Sequence, residues 1–178
     1  MSYTKLKNDP IARIRQKWIE QGWEDGALGL AGIMSVSRAN QILLNRADVI
    51  LRPLGLNFSR YEVLMMLFFA EKGEYTMGEL GQMLQVHPAS ANNSVSRLVE
   101  QGFAQRKQAK ADGRVMLISI LPAGAAAFEK ATEEMRVLFS GRDANRPEAE
   151  VLVNLLTILR YRSGDFEEAP DQVKLSRI

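Results

Sequence analysis

Apolar residues recur at helical spacing from residue 10 onward. Asp9-Pro10 reads as an N-cap with proline in the first turn, and Ile11, Ile14 and Trp18 follow at intervals of three and four until Gly22. From about Leu28 to Arg52 the residues Ile33, Val36, Ala47, Ile50 and Leu54 keep broadly helical intervals, with no proline before Pro53. This predicts a rod of roughly 37 Å at 1.5 Å per residue. Ser59 to Glu62 (SRYE) has the form of a capping box with Phe58 and Val63 as its staple, so a helix is expected from Arg60 to near Gly73. Thr76 to Glu79 (TMGE) repeats the motif, with Tyr75 and Leu80 as staple, and opens a two-turn helix that turns Leu80, Met83 and Leu84 inward. Gln85-Val86-His87-Pro88 breaks it. Pro88 then starts a third helix, Ala89 to Gln101, which Gly102 stops.

The period changes after Phe103. The basic run Gln105-Arg106-Lys107-Gln108-Ala109-Lys110 is separated by Ala111-Asp112-Gly113-Arg114 from Val115-Met116-Leu117-Ile118-Ser119-Ile120, and Asp-Gly between two extended segments signals a hairpin. Pro122 opens another helix, in which Gly124, Phe128, Ala131, Met135 and Leu138 form a heptad-like seam. After Gly141 a last helix begins around Pro147, with Asn145 and Glu148 near its start. It carries Leu152, Leu155, Leu156 and Leu159 to about Arg162, and a frayed tail follows. The order is that of a winged helix-turn-helix. The expected architecture is mainly α with a small β-hairpin wing: N-terminal dimerisation helices over 1–55, a winged head over 56–121 and C-terminal dimerisation helices with a tail over 122–178. The seam residues Phe128, Ala131, Met135 and Leu138, together with Leu152, Leu155 and Leu159, are too apolar to leave in water and are expected at a homodimer interface.

Composition narrows the chemistry. The chain has 178 residues, no cysteine and one histidine, which leaves no disulfide, thiol redox or Cys–His dyad chemistry and little basis for a zinc or copper site. No carboxylate pair, nucleophile with its base or phosphate loop stands out, so neither an enzyme nor a cofactor is expected. The start of the chain has charges but no apolar run behind them, and no stretch of 18 apolar residues occurs, which predicts a cytoplasmic protein without a membrane partner.

The net charge of +2 is too small to imply a polyanion partner unless it is unevenly placed. It is unevenly placed. Between Arg97 and Arg114 five basic residues (Arg97, Arg106, Lys107, Lys110, Arg114) face two acidic ones (Glu100, Asp112). In the third helix Ala91, Val95, Leu98, Val99 and Gly102 share a buried arc of roughly 100°. Ala89, Ser90, Asn93, Ser96, Arg97, Glu100 and Gln101 occupy the opposite side, with Asn92 at its margin. Asn pairs bidentately with adenine and Arg with guanine, and Ser hydroxyls suit base edges or phosphates. The expected DNA contacts are therefore Ser90, Asn92, Asn93, Ser96 and Arg97 from the helix and Arg106, Lys107, Lys110 and Arg114 from the hairpin. Asp112 and Gly113 form the turn that carries Arg114 towards a narrow minor groove. His87 before Pro88 suits either a helix cap or a phosphate contact.

From about Val36 to Arg162 the chain resembles the multiple-antibiotic-resistance regulator (MarR) family of bacterial transcription factors. The match is carried by Val86-His87-Pro88-Ala89-Ser90, Val95-Ser96-Arg97-Leu98-Val99-Glu100-Gln101-Gly102-Phe103, Asp112-Gly113-Arg114 and Leu121-Pro122-Ala123-Gly124. The resemblance implies a homodimer with interlocked terminal helices, two winged heads on one pseudo-palindromic double-stranded operator, and repression relieved by a small ligand. It places that ligand where the dimer helices meet the head, with Met34, Tyr61, Met65 and Phe68 as an apolar wall and Arg38 as the cation for an aromatic acid or acyl-coenzyme A thioester. The sequence departs from the family pattern at Leu121, where a capping Thr is usual, at Asn92-Asn93, where Thr-Arg is frequent, and in a basic N-terminal extension of about thirty residues. The competing reading is a winged-helix protein-interaction module that does not bind specific DNA.

Overall fold

The computed structural model describes residues 5–110, 112–139, 147–168 and 170. Among these described residues seven helices and a small sheet follow in the order α1 (Pro10–Glu20), α2 (Glu24–Leu51), α3 (Phe58–Phe68), β1 (Tyr75–Thr76), α4 (Met77–Leu84), α5 (Pro88–Glu100), β2 (Ala104–Gln108), β3 (Met116–Ile120), α6 (Pro122–Phe139) and α7 (Pro147–Arg162). A 3-10 turn, Arg52–Leu54, closes α2 where Pro53 removes a backbone donor. The sheet has the order β1-β3-β2, all antiparallel, with Arg106 opposite Ile118 and Lys107 opposite Leu117. This is the mainly helical winged architecture that the pattern predicts.

Local chemistry explains most element starts. Asp9 accepts from the Ile11 N–H at 2.9 Å and Pro10 occupies the first turn of α1. Thr76 and Glu79 complete the reciprocal capping box, Glu79 N–H to Thr76 Oγ1 at 3.1 Å and Thr76 N–H to Glu79 Oε2 at 2.7 Å. The Thr76 backbone N–H holds the Glu79 carboxyl below its ordinary range.

Two expectations about α3 fail. SRYE is not a capping box: α3 begins earlier, capped by Asn57, whose Oδ1 accepts from Arg60 N–H at 3.0 Å. Asp48 of α2 takes the Phe58 N–H at 2.9 Å, so a contact from outside the motif selects the earlier start. The helix then stops at Phe68, short of Gly73. Tyr75 and Thr76 also pair with Ile118 and Leu117 as a third strand, which the pattern does not predict.

The largest correction concerns the seam of α6. Phe128, Ala131 and Met135 are 4%, 0% and 0% exposed and belong to the chain's own core. Phe128 stacks on Tyr61 at 5.4 Å and meets Phe68 at 4.8 Å, while Tyr61 Oη bonds Thr132 Oγ1 at 3.1 Å. α6 is therefore tied to α3 by this seam, which leaves none of those three residues for a partner. The side chain of Leu138 lies outside the described residues, as do Gly141 and Asn145. One continuous core runs from Ala47 and Leu51 of α2 through Leu64, Leu80, Val95, Leu98 and Ile118 to Met135, so it crosses both expected segment boundaries.

What remains bare is elsewhere. Every residue from 35 to 43 in α2 is exposed, Val36, Ile42 and Leu43 included, as are Leu152, Leu155 and Leu159 of α7. Residues 24–54 are long and apolar enough in composition to cross a membrane. Asp48 nevertheless ties α2 to α3, and Arg38 and Arg46 punctuate it with charge. α1 folds back on α2, with Trp18 over Gly26, where a Cβ would stand 3.3 Å from the indole.

Candidate nucleic-acid interface

α4, a tight turn and α5 form the helix-turn-helix. Gln85 takes the left-handed conformation (φ 49°) between the two helices, and its side chain hydrogen-bonds Asp165 beyond α7. His87 is the N-cap of α5: its Nδ1 accepts from Ala89 N–H at 3.2 Å, and Pro88 follows in the first turn. Of its two readings, the capping one describes the geometry. α5 buries Ala91, Val95 and Leu98 against the core, while Val99 is 36% exposed and lies at the edge of that face. Gln101 belongs to the scaffold, because its Nε2 donates to the Gly55 carbonyl at 2.8 Å.

The outward side of α5 displays Ser90, Asn92 and Asn93, all exposed. Arg97 is exposed too and donates to Glu100 at 2.8 Å, a surface pair that is weak and easily exchanged for another anion. Ser96 is turned aside: its Oγ donates to the Asn92 carbonyl at 2.8 Å and accepts from Arg106 Nη2 at 2.9 Å. Arg106 also donates from the same nitrogen to Asn92 Oδ1 at 3.0 Å and Asn92 O at 3.2 Å. Half-buried Arg106 is thus bound to the recognition helix in the single chain, where the sequence reading expects a direct DNA contact.

Strand alternation separates the rest of the wing. Arg106 shares the α5 side of β2 with buried Ala104, so Lys107 points to the opposite sheet face, where it is exposed. Lys110 and Arg114 stand exposed near the tip. The tip is shaped by Asp112, whose Oδ1 accepts from Arg114 N–H at 2.9 Å and whose carbonyl accepts from Val115 N–H at 3.0 Å. Gly113 is exposed beside it, and Ala111 lies outside the described residues.

Comparison with known proteins decides the lineage. The MarR family model matches residues 54–115. A MarR family transcriptional regulator from Streptomyces coelicolor is 36% identical, with a TM-score of 0.71 over 79% of this chain and 98% of that one. The chain belongs to the MarR family of transcriptional regulators. Two further structures share the fold of this MarR-family chain. The Mycobacterium tuberculosis transcriptional regulator MOSR, in complex with DNA, has 21% identity and a TM-score of 0.65 over 74% of this chain and 95% of that one. A mutant Escherichia coli MarR complexed with operator DNA has 22% and 0.60 over 72% and 95%. Comparison with the curated proteins finds no match.

In this MarR-family chain the five expected ligand residues do not converge. Tyr61 is core, and Phe68 and Met65 pack against that core. Met34 and Arg38 instead line a cleft of about 340 Å³ between α1 and α2, with Ile11, Ile14, Ile33 and Ser37. Residues of α1 close this cleft, and sequence reasoning missed them because the N-terminal extension has no counterpart in the family pattern. A second cleft, of about 470 Å³, lies between α4 and α5 beside Asn92 and is walled by Met77, Val86 and Pro88.

Proposed function

We propose that the protein is a homodimeric transcriptional repressor that binds a pseudo-palindromic double-stranded operator. α5 enters the major groove and Arg114 reaches the adjacent minor groove. The observation that carries this reading is the outward row of Ser90, Asn92 and Asn93 on a helix whose other face is locked into the core, flanked by exposed Lys110 and Arg114. Base edges are read by such hydrogen-bonding side chains, while cations on phosphates supply affinity without sequence information. The MarR-family structures solved with DNA support it by fold. Residues 1–55 and 122–178 flank the head and supply the dimer contacts, now assigned to Val36, Ile42, Leu43, Leu152, Leu155 and Leu159 because these are bare in the single chain. Two heads related by the dimer axis would read half-sites about one helical turn apart. The role is regulatory rather than catalytic, in the compartment that holds the DNA.

A gel-shift titration of the protein against DNA from upstream of its own gene tests this. Specific binding should exceed that to random DNA, and its logarithm should fall linearly with log salt with a slope of several units. Equal affinity for both DNAs, or a flat salt response, would overturn it and leave the protein-interaction reading. An effector is part of the proposal. Its site moves to the cleft beside Arg38, whose size suits a small aromatic acid; the bulk of a coenzyme A thioester would lie outside it. Aromatic acids should stabilise the wild type and weaken operator binding, and Arg38→Ala should lose both responses. An unchanged response in that variant would move the site elsewhere.

A further inference from the structure

Arg106 is a basic residue of the wing that faces inward, onto the helix expected to read bases. A guanidinium is donor only, so the Asn92 side-chain atom 3.0 Å from its Nη2 must be the amide oxygen. Ser96 obeys the same logic. Its hydroxyl hydrogen goes to the Asn92 carbonyl, so the oxygen is left to accept from Arg106. Donors and acceptors around this triad are therefore mutually consistent in one arrangement only. Among the described residues, every side-chain hydrogen bond of Asn92 goes to Arg106. The neighbouring cleft is walled mainly by Met77, Val86 and Pro88; its one other polar side chain, Gln82, makes no hydrogen bond to Asn92.

We propose that Arg106 is a positioning residue for base specificity: it holds the Asn92 amide by its oxygen, so that the recognition helix presents the amide N–H donors to the major groove. An outward donor suits an acceptor on the base edge, such as guanine O6 or N7, adenine N7 or thymine O4, and is mismatched with the amino group that cytosine shows there. The bidentate adenine pairing expected of a free Asn, which needs the oxygen as well, is not available in this arrangement. This inference rests on the DNA-binding reading above.

The test is selection of binding sites by the full-length dimer from a duplex library with a randomised core of roughly two helical turns, combined with salt titration. Wild type should disfavour cytosine at one position per half-site. Arg106→Lys keeps the charge but ends one bond short of Nη2, the single nitrogen that holds both Asn92 and Ser96. It should flatten preference at that position alone, to the same extent as Asn92→Ala, with the salt slope unchanged. The double variant should be no flatter there than Asn92→Ala. Asn92→Asp keeps an oxygen for Arg106 and replaces the outward donor with an acceptor, so preference should move towards bases bearing an amino group, cytosine and adenine. Two results would overturn the proposal: Arg106→Lys retaining the wild-type profile while Arg106→Leu lowers the salt slope by about one unit, which marks a phosphate contact, or Arg106→Lys weakening preference at all positions alike, which marks a structural role. A wild type without any sequence preference would instead remove the DNA-binding reading itself.

Discussion

Gly124 gives a sharp test of how the winged head joins the C-terminal helices. It lies in the first turn of α6, and a Cβ there would stand 2.0 Å from the Phe103 carbonyl oxygen, 2.8 Å from its carbon and 3.0 Å from its Cα. Carbon and oxygen normally meet at about 3.3 Å, so the shortfall is roughly 1.3 Å. Neither side yields easily. Phe103 is pinned by its N–H to the Leu98 carbonyl at 2.8 Å, and its own carbonyl accepts from Leu121 N–H at 2.9 Å. Gly124→Ala must displace the entry to β2 or the start of α6. That loses the Leu121 hydrogen bond, worth about 1 kcal/mol, and adds overpacking strain of about 1–3 kcal/mol. The better helix propensity of Ala returns about 0.5–1 kcal/mol. A net loss of roughly 1–3.5 kcal/mol should lower Tm by about 2–14 °C for a chain of this size. The assay is thermal and denaturant unfolding at one fixed protein concentration, since a dimer's Tm depends on it. Gly81→Ala in α4 is the control: no atom lies within 4 Å of its Cβ, so it should gain about 0.5–1 kcal/mol. A Gly124→Ala variant as stable as wild type would refute the reasoning.

Three other outcomes follow from the same geometry. Leu155→Lys combined with Leu159→Lys should convert a dimer to a monomer in sedimentation equilibrium, because both side chains are exposed in the single chain; a wild type already monomeric at micromolar concentration would dismiss the dimer. Asn93→Ala should weaken operator binding by roughly 1–3 kcal/mol and relax one base preference per half-site, and an unaltered preference would exclude base reading by Asn93. Burial raises the Glu62 carboxyl above its ordinary value of 4.5, so the ionised form is disfavoured in the folded state. Folding therefore favours proton uptake. Glu62→Gln should raise Tm at neutral pH, and that gain should fade as pH falls through the raised value and vanish below 4.5; a difference independent of pH would contradict the assigned cause.

Several features were legible in the sequence because they are made by residues three or four apart. Asp9 with Pro10, the Thr76–Glu79 box and the His87-Pro88 start of α5 are local hydrogen-bond and dihedral choices, and each stands where the pattern put it. The paired strands follow from the change in period, and the outward side of α5, Ser90 and Asn93 with Asn92 at its margin, from helical geometry. Choices between equivalent local options were made at long range. SRYE and Asn57 compete to start α3, and Asp48, ten residues upstream of Phe58, decides. A two-residue strand has too few positions to show a period, so β1 exists only because β3 is there to pair with it. Apolar spacing shows that Phe128, Ala131 and Met135 need cover; it does not say whether the cover is a second subunit or the chain's own α3, and the packing against Tyr61 and Phe68 chose the latter. Arg106 read as one more cation in a basic run, since a charge count has no direction. Only the fold brings it within 3.0 Å of a residue fourteen positions earlier and makes it a ligand of Asn92.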